Sequence, residues 1–74
     1  MKSNWTRAGV RHKTPRWYWA RWDADSEAFP IQMWLDEAGG AWFHNPYATL
    51  RSSAPWDRDG YERSRHPINE PSHD

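Results

Sequence analysis

Seventy-four residues, with ten basic and ten acidic side chains, make a single domain near the lower size limit for unaided folding. Cysteine is absent, which excludes disulfides and thiolate metal sites and fits a reducing compartment. No run approaches the roughly 20 apolar residues of a membrane helix, and Met1–Val10 has no apolar h-region, so a cytoplasmic protein without membrane contact is expected.

Leu, Ile, Val and Phe together number only seven, a share that would suggest disorder in a strongly charged chain. The net charge is zero, however, and there are seven Trp, three Tyr and two Phe. One aromatic ring buries roughly 150–250 Å², so a few rings can stand in for an aliphatic core. The neutral total also conceals an asymmetry. Residues 1–22 carry +6, residues 23–50 carry −5, and residues 51–74 carry −1.

Along the chain, residues 1–15 lack apolar periodicity and end in Thr14-Pro15, the pattern of a flexible basic arm. Trp17-Tyr18-Trp19-Ala20-Arg21-Trp22 is dense in strand-favouring aromatics. After a polar break at Asp23–Glu27, Phe29, Ile31, Met33 and Leu35 alternate with Pro30, Gln32, Trp34 and Asp36, the period-2 pattern of a half-buried strand. Pro30 suits only a strand start or an edge, where its missing N–H costs nothing. Asp36-Glu37-Ala38-Gly39-Gly40 supplies turn chemistry, and Ala41-Trp42-Phe43-His44 gives a third strand.

A short helix at 30–38 is the competing reading, because Ile31, Trp34, Leu35 and Ala38 also fall at helical spacing. Against it, Asp36 and Glu37 would sit at the negative end of the helix dipole, and Phe29 is a poor N-cap. The expected fold is therefore a small β-rich single domain, a three-stranded antiparallel meander over about residues 16–45. The folded unit is read as 16–61, with Trp56 and Tyr61 available to pin its last part, and residues 62–74 as a mobile tail.

Catalytic and metal chemistry find no footing. His12, His44, His66 and His73 are scattered, with no pair at ligand spacing. Asp23 and Asp25 fall in a loop, and paired carboxylates need a cleft that separates their pKa values. No nucleophile elbow or phosphate-binding loop occurs. The expectation is a protein that is not an enzyme and needs no cofactor or metal.

Arg16, Trp17, Trp19 and Arg21 form the most specific feature. On a strand, Trp17 and Trp19 share one face, while Tyr18 and Trp22 point the other way; one of these faces must be core. The outward pair would be an interaction surface, since Trp, Tyr and Arg dominate interface hot spots. Asp23, Asp25, Asp36 and Glu37 form a second candidate set, acidic turns that could occupy a basic groove on a partner. The expected activity is stoichiometric protein binding, as an inhibitor or adaptor acting on a larger complex. The alternative is single-stranded nucleic-acid binding, with bases stacked on Trp and phosphates on Arg.

Gly40-Ala41-Trp42-Phe43-His44-Asn45-Pro46, followed by Trp56, loosely resembles the second half of a WW domain. Trp34 to Trp42 is shorter than that family's first strand and loop, Phe43 to Trp56 is longer, and His44-Asn45 reverses the usual order. No proline-peptide groove is therefore carried over. In size and composition, though in no motif, the chain is similar to small phage-encoded inhibitors, anti-CRISPR proteins among them. That likeness implies action by occupying a surface.

Overall fold

The computed structural model describes residues 4–46 and 53–70; residues 1–3, 47–52 and 71–74 lie outside the description. The corresponding parts of the predicted arm and tail, and His73, are therefore not addressed. Six strands are described: β1 (Trp5–Thr6), β2 (Arg16–Arg21), β3 (Phe29–Leu35), β4 (Ala41–His44), β5 (Ala54–Pro55) and β6 (Glu62–Ser64). They form one antiparallel sheet in the order β1-β6-β2-β3-β4-β5.

The predicted meander is the centre of this sheet. β2 pairs with β3 from Arg16↔Met33 to Ala20↔Phe29, and β3 pairs with β4 from Gln32↔His44 to Leu35↔Ala41. The segment that could have been a helix is strand as far as Leu35 and turn beyond it, because pairing on both sides satisfies the strand's backbone while alternation buries Ile31 and Met33 completely. Full burial of each contributes roughly 1.5–3 kcal/mol.

The β3–β4 connection is a three-residue turn closed by a glycine. Asp36 N–H donates to the Gly40 carbonyl, Gly39 N–H donates to the Asp36 carbonyl, and Gly39 takes φ +89°. Pro30 is the second residue of a central strand, at a place where its missing N–H has no ladder partner to lose. Trp19 turns its N–H towards β6, donating to Ser64 Oγ, so Trp19 and Pro30 face each other without backbone bonds. The Pro30 nitrogen then points to the side where the β4 ladder has already ended at His44.

Two boundaries are corrected. The sheet has six strands rather than three, and the folded unit is wider than 16–61. Residues 62–64, assigned from sequence to the tail, form β6 between β1 and β2, and beyond them Ile68 N–H bonds the Trp17 carbonyl. In the predicted basic arm, Trp5 and Thr6 pair with Ser64 and Arg63, and Val10 is buried.

From β1 the chain crosses the inner face of the sheet. The carbonyls of Ala8 and Gly9 accept from Arg63 of β6, Trp56 Nε1 donates to the Arg7 carbonyl, and the His12 carbonyl accepts from Leu35 N–H. A Cβ on Gly9 would lie 2.8 Å from that of Ala41, so only glycine permits this close approach.

Beneath the crossing lies the core. Tyr18 and Ala20 of β2, Ile31 and Met33 of β3, and Phe43 of β4 supply its inward side chains. Phe43 meets Trp56 and Tyr61 edge-on, with centroids 5.5 and 5.8 Å apart, and Phe29 meets Tyr61 at 5.4 Å. Tyr18 also bonds His12 through its hydroxyl, 2.7 Å from Nε2. Aromatic packing thus does the work of the missing aliphatics. Both edge strands have only two residues, and β5 ends in Pro55, features that discourage further strand addition.

Candidate functional site: an aromatic outer face

Since Tyr18, Ala20, Ile31, Met33 and Phe43 point inward, their strand neighbours must point out. Register arranges the outer residues in rows. Trp34, Trp42 and Pro55 lie side by side on β3, β4 and β5; Trp17, Gln32 and His44 form the next row; Trp19 and Pro30 form the third. Arg21 and Glu62 follow, with Trp5 beside Ser64. Five of the seven tryptophans therefore occupy one side of the sheet. Directly opposed residues in adjacent strands are about 4.5–5.5 Å apart, so the indoles are near neighbours. Trp19, at 39% exposed, is the most open of them.

The electrostatics of this face are nearly silent. Arg21 is the only Arg or Lys among its strand residues, and its guanidinium is ion-paired with Glu62 while lying 3.9 Å over the Trp5 ring. Pairing and stacking together fix that cation in the plane of the sheet.

The candidate residues named from sequence separate into three places. Trp17, Trp19 and Arg21 share the outer face. Arg16 opens β2 in register with inward-facing Met33, where its side chain is exposed. Asp23 and Asp25 lie in the β2–β3 turn, and Asp36 and Glu37 in the β3–β4 turn, at opposite ends of β3. Trp22 falls past the end of β2, half exposed, with its ring 4.0 Å from that of Tyr61. Trp34, Trp42 and Trp5 were missed. The alternation in Phe29–Leu35 already set Trp34 opposite Ile31 and Met33; for Trp5 there was no local signal. Trp42 and Trp56, which carry the WW-like spacing, lie on opposite sides of the sheet.

No protein-family model, curated protein or solved structure matches this chain.

Two of the acidic residues have internal duties. Asp23 accepts from Asp25 N–H and Ser26 Oγ, and Asp36 accepts from Gly40 N–H and Trp42 Nε1. These donors favour the ionised form and hold both carboxyls below their ordinary value of 3.8. A depressed folded-state pKa contributes stability that is full above the unfolded value and is lost as pH falls through the folded one. Stability should therefore decline on acidification below about pH 4. Asp36→Ala should lower stability at neutral pH and flatten that decline, as measured by urea denaturation across pH. An unchanged acid limb in Asp36→Ala would show that the turn contributes nothing.

Among the described residues no group of three or more His, Cys, Asp or Glu could hold a metal ion, and no helix is long and apolar enough to cross a membrane.

Proposed function

We propose that this protein is a stoichiometric protein-binding module, acting as an inhibitor or adaptor on a larger complex through its outer tryptophan face. The observation that supports this reading most directly is the pairing of five same-side tryptophans with a charge-neutral surround. The centre of a protein interface is rich in aromatics and depleted of charge, with its energy concentrated in a few Trp, Tyr and Arg residues. A single-stranded nucleic-acid platform needs the same stacking rings, but with unpaired cations tracking the phosphates. Arg21 is already paired, and no other Arg or Lys lies among the described strand residues of this face. Protein binding is therefore favoured over the nucleic-acid alternative.

Affinity capture from the native host, with wild type beside Trp17→Ala and Trp19→Ala, tests the proposal. A partner held by the wild type should bind Trp19→Ala about 2 kcal/mol or more weaker, with thermal unfolding unchanged within error. A fluorescent oligonucleotide titrated at several salt concentrations tests the alternative. Binding that falls log-linearly, with a slope of about −0.7 per phosphate contacted, would replace the proposed function with nucleic-acid recognition.

A further inference from the structure

At the start of β4 and the end of β5, where the outer face meets the crossing segment, lies an open groove of about 400 Å³. Trp42, Pro55 and Trp56 are among its lining residues, and Asp36, Asp57 and Arg7 are the charged ones. Its volume is within the roughly 300–1,000 Å³ of ligand-binding clefts. We propose that this groove receives an arginine side chain of the partner protein, its guanidinium held by Asp36 and Asp57 beside the indole of Trp42. This inference rests on the protein-binding reading and deepens it by naming the chemistry that the partner must present.

Three observations converge on a cation. The walls carry two carboxylates against one guanidinium. Asp36 is locked in place from within by Gly40 N–H and Trp42 Nε1, so its charge is presented by a fixed group. Asp57, by contrast, is exposed and has no hydrogen bond or ion pair among the described residues. An unpaired carboxylate in a wall shared with Trp42 favours a planar cation that can bond the acid and lie against an aromatic ring, which suits arginine better than lysine. An anionic side chain would be repelled. Position matters equally: Trp42 and Pro55 belong also to the outer face, so a partner seated there has the groove at its border. Arg7 is the built-in competitor, a side chain in the same wall and likewise without a partner among the described residues.

Competition predicts opposite signs for two exposed substitutions. In ¹H–¹⁵N spectra of the full chain, the peptide Ac-Gly-Arg-Gly-NH₂ should shift the indole N–H signals of Trp42 and Trp56 in a saturable manner. The same peptide with neutral citrulline in place of arginine should not. Asp57→Asn should weaken the arginine peptide, and Arg7→Ala should strengthen it, each by about two- to fivefold. Equal shifts with the citrulline peptide, no shift at all, or shifts spread evenly over Trp17 and Trp19 would overturn the assignment. The spectra report folding of each variant directly. Loss of the arginine response while capture still depends on Trp19 would end this inference alone. An arginine response without Trp19-dependent capture would instead end the outer-face reading and leave the groove standing.

Discussion

Replacing Arg63 with alanine should destabilise the protein by about 3–4 kcal/mol, enough to leave so small a domain largely unfolded at 37 °C. Arg63 is the one buried charged side chain among the described residues, at 8% exposed. Its compensation is unusual, because no carboxylate faces it. Nε donates to the Ala8 carbonyl, Nη2 to Gly9, and Nη1 to Ser64 and Arg65, while the guanidinium lies 4.9 Å from the centre of the Tyr18 ring. Burial pushes its pKa down from the ordinary arginine value, yet a guanidinium stays charged at every accessible pH.

The side chain thus clips the crossing segment to β6, and its loss would remove the bonds to Ala8, Gly9, Ser64 and Arg65 together. Arg63→Lys separates charge from geometry: an ammonium keeps the charge but cannot span both sides of the fork, so about 2 kcal/mol should be lost. Urea denaturation of the two variants reads both values. A lysine variant within about 0.5 kcal/mol of wild type would show that charge alone suffices and that the fork contributes nothing.

Trp56→Ala should be comparably severe, costing about 3–5 kcal/mol through lost burial and the cavity left behind. Trp56 is 3% exposed, packs edge-on against Phe43, and donates from Nε1 to the Arg7 carbonyl. Trp56→Phe keeps most of the packing and removes the hydrogen bond, so a smaller loss of about 1–2 kcal/mol is expected. The contrast with Trp19→Ala carries the functional content. Trp56→Ala should act chiefly on stability, whereas Trp19→Ala should weaken binding with stability unchanged. Equal destabilisation by Trp19→Ala and Trp56→Ala would mean that the outer face is core, covered by chain outside the described residues.

The three central strands, the glycine turn at 39–40 and the existence of two distinct aromatic faces were legible because each is a local pattern. Alternation with period two needs only neighbours, and a glycine turn needs five consecutive residues. Which face is core was not legible, since Trp17-Tyr18-Trp19 is aromatic on both sides and hydrophobicity alone cannot rank them. The packing of Tyr18 against its surroundings shows why it suits the inner side: its hydroxyl finds His12 and its ring finds Arg63.

The ends were misjudged for a related reason. Residues 4–15 and 62–68 are charged and aperiodic, and local composition assigns such stretches to arms and tails. Their order derives from contacts far apart in sequence, between the two ends as in Arg63 Nε to the Ala8 carbonyl and Trp5 opposite Ser64, and between β6 and β2 as in Trp19 N–H to Ser64 Oγ. A buried arginine looks like any surface arginine until carbonyls distant in sequence are folded around it. The amino-acid sequence by itself determined strand periodicity, the turn and the aromatic supply. Only the tertiary structure decided that β6 enters the sheet, that five tryptophans share its outer side, and that Arg63 ties residues 8 and 9 across the core, because each depends on long-range closure that no local window contains.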